Sequence, residues 1–111
     1  MKAYDDPRKM PKADLVLVTL KATANDQFDR LVGPLLHERS AILTLQNGLG
    51  NEDQLAELFG AGRIIGGMAF VCINRVGPGV VDHIAEGQVT LGEFGAAAGA
   101  RAHDVAEMFI A

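Results

Sequence analysis

Two apolar runs, each followed at once by a polar side chain, constrain the fold more than any other feature. Residues 41–45 lead into Gln46-Asn47-Gly48-Leu49-Gly50, a glycine-rich turn that presents the amide of Asn47. The earlier run, residues 15–20, ends in the same way with Lys21 at its exit. Open α/β sheets bind their ligands at the carboxyl edge of the strands. The two side chains are therefore predicted to form half of a ligand site.

Length and composition indicate one globular domain, residues 1–111, with an aliphatic core. Hydrophobic residues make up 49% of the chain and aromatic residues only 5%, a balance typical of parallel sheets covered by helices. The net charge is −4 and no Lys/Arg cluster occurs, which argues against a nucleic-acid surface. The apolar runs are too short for a membrane span, and a single cysteine fits a reducing cytoplasm. We expect a cytoplasmic protein that binds neither nucleic acid nor membrane.

The spacing of apolar residues predicts alternating strands and helices in the first half. Residues 14–20 and 41–45 are predicted to be strands buried on both faces, and residues 63–71 to be a third strand. Such alternation favours parallel pairing. Gly33-Pro34 lies within the helical stripe between the first two strands, so a kink or a break is expected there. The stripe comprises Phe28, Leu31, Val32, Leu35 and Leu36.

A second helix is predicted over residues 52–59, ended by Gly60 and begun by a capping box of Asn51 and Gln54. Its inward-facing residues are expected to be Leu55, Leu58 and Phe59.

The rest of the chain is predicted to add an antiparallel extension and a last helix. After a turn at residues 76–79, short strands at 80–84 and 89–91 are expected to pair as a hairpin through Glu86-Gly87. Helical spacing returns in the alanine-rich tail at Ala102, Val105, Ala106 and Phe109. The element order favours an α/β fold, a parallel sheet with an antiparallel C-terminal extension.

The remaining reactive residue types show no catalytic or metal-binding pattern. His37 and His103 are predicted on helix surfaces and His83 is predicted to be structural, with no spacing suited to a metal or a general base. Cys72 ends an apolar strand and is expected to be a small buried residue. We assign no catalytic residue and no metal ligand.

Several short motifs, taken together and in order, resemble those of the ketopantoate reductases (2-dehydropantoate 2-reductases), over residues 14–95. They are Val18-Thr19-Leu20-Lys21-Ala22, Leu45-Gln46-Asn47-Gly48-Leu49-Gly50, Gly66-Gly67, Gly79-Val80-Val81-Asp82-His83, Gly87 and Leu91-Gly92.

The resemblance implies a cofactor, a substrate and two site residues. The family reduces the ketone of 2-dehydropantoate with NADPH, on the route to pantothenate and coenzyme A. Lys21 and Asn47 match the lysine and asparagine that line the cofactor cleft near the nicotinamide, and the asparagine also reaches the substrate. An amide can donate one hydrogen bond and accept another without charge, whereas a lysine offers a cation for a hydroxyl, a phosphate or a carboxylate.

The chain departs from the family pattern at the phosphate site. No G-x-G-x-x-G occurs, and Gly48-Leu49-Gly50 is followed by acidic Glu52 and Asp53, which would repel phosphate. The chain therefore resembles the second half of a Rossmann fold, a partial N-terminal dinucleotide-binding domain without the first strands and without the C-terminal helical domain. We expect this fragment to be catalytically inactive alone.

Such a fragment would leave one sheet edge unpaired. In the usual strand order the run at residues 15–20 pairs with the first strand of the fold, which this fragment lacks. An open apolar edge invites pairing with another chain, so a homodimer through this edge is expected. The alternative hypothesis is a non-catalytic truncated α/β module that self-associates through the edge and binds no nucleotide.

Overall fold

In the computed structural model, which describes residues 2–97 and 99–110, a four-stranded sheet carries helices on both faces. The strands are Leu15–Val18 (β1), Ala41–Thr44 (β2), Ile64–Gly77 (β3) and Val80–Glu93 (β4). The α-helices are Phe28–Val32 (α1), Asn51–Phe59 (α2) and Ala100–Ile110 (α3). Short 3₁₀ turns lie at Pro7–Lys9, Ala22–Gln27, Gly33–Leu35 and Ala61–Arg63.

The sheet confirms the predicted α/β fold class. Its strand order is β1-β2-β3-β4, with β1, β2 and β3 parallel and β4 antiparallel to β3. In the register of the first pair, Leu15 lies opposite Ala41 and Val18 opposite Thr44. The backbone N–H of Leu45 extends this pairing by donating to the carbonyl of Val18 at 3.0 Å. The carboxyl ends of both strands therefore lie together, at the carboxyl edge of the sheet.

Two apolar clusters pack on opposite faces of the sheet. Beneath α1 and α2 lie Phe28, Val32 and Leu55 together with strand residues Val16, Val18, Ile42 and Ile64. On the other face, α3 covers β2 and β3 with a cluster of Ala41, Leu43, Ile65, Ala102 and Val105. Every residue of β2 is buried, as predicted for a strand covered on both faces.

The first strand is less buried than predicted. Leu17 is 43% exposed, whereas its neighbours Val16 and Val18 face the cluster beneath α1 and α2 and are buried. The prediction of burial on both faces is wrong here because α3 packs over β2, β3 and β4, and Leu17 is not part of the cluster that it covers.

The break predicted at Gly33-Pro34 is confirmed. Helix α1 ends at Val32, and Gly33–Leu35 continue as a 3₁₀ turn. Proline lacks the N–H that an α-helix needs at this point and its ring clashes with the preceding turn.

Helix α2 begins one residue earlier than predicted and ends at Phe59 as predicted. Gly60 follows with φ of 93°. The proposed capping box is wrong, since Gly50 occupies the N-cap position and Asn51 is already helical. Leu55 is fully buried, but Leu58 is 51% exposed, so its predicted inward orientation is also wrong.

The hairpin forms between β3 and β4, with its turn at Pro78-Gly79, within the predicted 76–79 segment. The predicted hairpin through Glu86-Gly87 is wrong. Strand β4 is continuous, and Gly87 is a bulge because Phe70 pairs with Gln88 while Val71 pairs with Glu86. At this bulge Glu86 has φ of 63°, a backbone angle that is common in turns. A residue of this kind followed by glycine therefore looks like a turn in the sequence.

The outer part of this hairpin extends beyond the helices. Cys72 lies on it and is exposed, so the predicted burial is wrong. The apolar run that contains Cys72 pairs with β4 along its edge, but no helix covers its faces within residues 2–97 and 99–110.

The three histidines lie in separate places. His37 is in a turn rather than on a helix, with its Nε2 at 2.9 Å from Asp14 Oδ1. His83 lies on β4, where its Nε2 is 2.6 Å from the carbonyl oxygen of Glu86. His103 is exposed on α3, as predicted. Among the residues described, no three His, Cys, Asp or Glu side chains are grouped so that they could hold a metal ion.

The N-terminal lead-in was predicted to be irregular, but it contains one ordered 3₁₀ turn. Asp6 caps Pro7–Lys9 by accepting a hydrogen bond from the backbone N–H of Arg8. Hydrogen bonds from the Arg8 side chain and backbone lower the pKa of Asp6 to about 2. No helix within the described ranges has both the length and the hydropathy that crossing a membrane requires.

Candidate functional site

Lys21 and Asn47 follow adjacent parallel strands at the same edge of the sheet. Each lies three residues beyond a paired strand end, Val18 for the lysine and Thr44 for the asparagine. Both side chains are exposed, and neither has a hydrogen-bond partner within residues 2–97 and 99–110. The topology on which the site prediction depends is therefore present. Their role as ligand residues stays a prediction.

The segment that carries Lys21 leaves β1 and turns at once. Lys21 has extended backbone angles, with φ of −65° and ψ of 139°, and lies immediately before the 3₁₀ turn Ala22–Gln27. Its carbonyl accepts a hydrogen bond from the N–H of Ala24 at 2.8 Å. The turn keeps the lysine at the carboxyl edge and carries the next residues back over the sheet.

The segment that carries Asn47 depends on two glycines. Gly48 has φ of 106° and Gly50 has φ of 83°, both in the left-handed region that other residues rarely adopt. These angles reverse the chain between the end of β2 and the start of α2. Asn47 and Leu49 are consequently exposed on the outside of this loop.

Three side-chain amides connect the two segments. Asn25, in the turn after β1, donates from Nδ2 to Oδ1 of Asn51 at 2.8 Å. Gln46, in the loop after β2, donates from Nε2 to Oδ1 of Asn25 at 2.8 Å. The Oε1 of Gln46 in turn accepts from the hydroxyl of Thr44 at 3.0 Å. We call Gln46, Asn25 and Asn51 the amide relay.

Asn51 joins the amide relay to the backbone of the loop. Its Nδ2 is 3.3 Å from the carbonyl oxygen of Asn47 and 3.1 Å from that of Gly48, donating to both. The residue is only 1% exposed although it is polar. Buried polar groups need partners, and here every polar atom of the side chain has one.

The relay was missed from sequence, although a signal for it exists. Lys21 and Asn47 are 26 positions apart (47 − 21), and the register of β1 on β2 has the same offset, as in Leu15 opposite Ala41. Asn25 and Asn51 are also 26 positions apart and are in contact. A shared offset between two parallel strands predicts that residues equally far beyond the strand ends become neighbours.

Charged side chains near the Asn47 loop determine which ligand groups can bind there. The first turn of α2 carries Glu52 and Asp53, whose negative charge opposes the attraction of a helix N-terminus for phosphate. Lys21 supplies a positive charge at the same edge. The carboxyl edge near Lys21 and Asn47 is therefore suited to a hydroxyl, an amide or a single anionic group of a ligand. The N-terminus of α2 is poorly suited to a pyrophosphate.

A family model described as "Ketopantoate reductase PanE/ApbA" matches residues 1–96 of the chain. A 2-dehydropantoate 2-reductase of Nostoc sp. is 47% identical over 92 residues, which is 83% of this chain and 29% of that protein. These matches agree with the resemblance inferred from the sequence motifs.

Solved structures of similar proteins have the same fold. A 2-dehydropantoate 2-reductase from Geobacter metallireducens superposes with a TM-score of 0.91 and 51% identity, over 96% of this chain and 36% of that one. The structure of D-mandelate dehydrogenase with NADH has a TM-score of 0.74 and 26% identity, over 86% and 32% of the two chains. This chain thus spans about a third of the length of the relatives that it matches.

Proposed function

Because the chain belongs to the ketopantoate reductase family, we propose that it forms part of the dinucleotide cleft of an NADPH-dependent 2-dehydropantoate 2-reductase. One observation carries this proposal. Lys21 and Asn47 follow adjacent parallel strands at the carboxyl edge, where open α/β sheets bind ligands.

The chemistry of the two side chains fits the nicotinamide end of such a cofactor. When bound, the cofactor supplies the hydride. The Asn47 carboxamide would donate a hydrogen bond to a carbonyl oxygen of the substrate or accept one from an amide or hydroxyl of the cofactor. The Lys21 ammonium group would bind a ribose hydroxyl or a carboxylate. Both groups are exposed, so neither has to break an internal contact to bind.

We propose further that these 111 residues bind the nucleotide weakly and do not turn over substrate alone. No G-x-G-x-x-G motif occurs in them, and the first turn of α2 is acidic. The pyrophosphate contacts that supply much of the affinity in this kind of fold are therefore not available from these residues.

Titration of the isotope-labelled protein with NADPH, followed by NMR, tests the proposal. Chemical shift changes are expected at Lys21, Asn25 and the loop from Asn47 to Gly50. Replacing Asn47 by Ala is expected to weaken binding about tenfold, because it removes a donor and an acceptor at once. No oxidation of NADPH is expected when 2-dehydropantoate is added.

The matched control is Gln54→Ala, which removes an exposed amide from α2 at a site without side-chain hydrogen bonds among the described residues. It should leave the affinity unchanged. Shift changes confined to another region, or none at millimolar NADPH, would contradict the cofactor proposal. Measurable turnover would contradict the proposed inactivity.

We propose in addition that the chain self-associates through strand β1, whether or not it binds the nucleotide. Strand β1 forms one edge of the sheet within the described residues, and Leu17 on this strand is 43% exposed. Open edges with exposed apolar side chains pair readily with other chains. We propose a homodimer in which the β1 edges of two copies meet.

Sedimentation velocity measures this self-association directly. The protein is expected to sediment as a dimer, and Leu17→Lys as a monomer, because a charge on an edge strand opposes edge pairing. Leu58→Lys is the matched control, since it places the same charge at an exposed leucine on α2. A monomeric parent protein at high concentration would exclude the dimer.

A further inference from the structure

We propose that Asn51 is a positioning residue that holds the two ligand-bearing segments in a fixed relation. Through the amide relay it sets the backbone of the Asn47 loop against the turn that follows Lys21. This inference rests on the proposed function, because it concerns the same two candidate ligand residues. It adds a role for a buried residue that need not touch a ligand.

Every polar atom of the Asn51 side chain has a hydrogen-bond partner. Its Oδ1 accepts from Asn25, and its Nδ2 donates to the carbonyl oxygens of Asn47 and Gly48. An asparagine amide has two N–H groups, and both point at the loop. With 1% exposure, water cannot replace these partners without local opening.

The neighbours of Asn51 impose the orientation of its amide. The Oδ1 of Asn25 is occupied by the Nε2 donor of Gln46, so the Nδ2 of Asn25 must face the Oδ1 of Asn51. The carbonyl oxygens of Asn47 and Gly48 can only accept, so the Nδ2 of Asn51 must face them and its Oδ1 must face Asn25. A flip of Asn51 would place two N–H groups against each other and an oxygen against two carbonyls.

Both ligand-bearing segments are connected to the amide relay. Asn51 contacts the backbone of Asn47 directly. Asn25 lies in the 3₁₀ turn whose first hydrogen bond, from Ala24 to Lys21, begins at the lysine. Displacement of the relay therefore moves the Lys21 segment and the Asn47 loop relative to each other.

Asn51→Asp tests this inference, because it replaces the donor that faces the loop by an oxygen of nearly the same size. The matched control is Gln54→Glu, which adds the same charge to the same helix at an exposed position. NMR relaxation of the free protein is expected to give order parameters of about 0.85 for the Gly48 and Gly50 amides in the parent and the control. In Asn51→Asp they should fall below about 0.6.

Asn25→Asp provides a second variant at a half-buried position whose side chain makes no hydrogen bond with the backbone of Asn47 or Gly48. One carboxylate oxygen of this variant still accepts from Gln46, but the other replaces the Nδ2 donor and faces the Oδ1 of Asn51. Either these two oxygens repel each other, or the Asn51 amide flips and loses its hydrogen bonds to the loop carbonyls. Order in the loop should fall in this variant too, although the substitution is in another segment. If Asn51→Asp does not fold, the order parameters of Asn25→Asp decide whether the relay holds the loop.

The outcomes separate the positioning role from the proposed function. Unchanged order parameters in both variants would overturn the inference, even if both melt earlier, because a merely structural role predicts only lower stability. If the parent binds NADPH, Asn51→Asp should weaken binding about tenfold more than Gln54→Glu. Equal affinities of Asn51→Asp and Gln54→Glu for NADPH would also overturn the inference. If the parent does not bind NADPH, the proposed function fails, while loop order in the free protein still decides whether Asn51 positions the two segments.

Discussion

Replacing Phe28 by Ala is expected to lower the free energy of unfolding by about 3–5 kcal/mol. Phe28 is fully buried at the start of α1, in the cluster formed with β1, β2 and α2. Truncation removes the transfer free energy of the ring and leaves a cavity that the short surrounding strands cannot close. In a small domain this loss is a large share of the total stability.

Urea denaturation followed by circular dichroism gives the size of this effect. Phe70→Ala is the matched control, because Phe70 lies on the outer hairpin and is 59% exposed. Its expected change is within about 0.5 kcal/mol. Similar losses for both variants would show that Phe28 is not the central residue of the core.

The same substitution should also affect the candidate site. The N–H of Phe28 donates to the carbonyl of Asn25, the middle residue of the amide relay. A cavity beneath α1 would therefore loosen the turn after β1 at the point where it joins the relay. We expect reduced order at Asn25 in Phe28→Ala under conditions where the variant is still folded.

Gly67→Ala is expected to destabilise the protein by about 1–3 kcal/mol, the usual cost of overpacking a filled site. An added methyl at Gly67 would overlap the side chain of Leu45 and lie 3.1 Å from Cδ1 of Leu43 and Cδ2 of Leu91. Leu45 is the last residue before the Gln46–Asn47 loop. Its displacement would disturb the site as well as the core.

Thermal unfolding of Gly67→Ala and Gly92→Ala checks this prediction. Gly92 lies on the neighbouring strand β4, and an added methyl there meets no atom within 4 Å. Gly92→Ala should therefore be neutral or slightly stabilising, because it only restricts the unfolded chain. A neutral Gly67→Ala would mean that Leu45 moves aside without cost.

Features that depend on local chemistry were predictable from the sequence. The buried strand β2, the break at Gly33-Pro34 and the end of α2 at Gly60 each follow from residue types within a few positions. Hydrophobic runs, a missing proline N–H and a glycine with positive φ act locally, so no knowledge of distant contacts was needed.

Features that depend on what covers a segment were not predictable. The runs that contain Cys72 and Leu17 look like buried strands, yet both residues are exposed because no helix lies over them in the described part of the chain. Glu86-Gly87 looks like a turn, but pairing with β3 makes it a bulge within one long strand. An apolar run looks the same whether a helix covers it or not, and Glu-Gly looks the same in a turn and in a bulge.

The sequence by itself determined the family, the α/β class and the two residues that leave adjacent strands, Lys21 and Asn47, since motifs and strand exits are properties of short segments. Only the tertiary structure decided that Asn25, Gln46 and Asn51 meet between those segments. Their contacts join parts of the chain up to 26 positions apart, and the register of two parallel strands brings them together. Hydrogen bonds of this kind are specified by the geometry of the assembled sheet, which no single segment encodes.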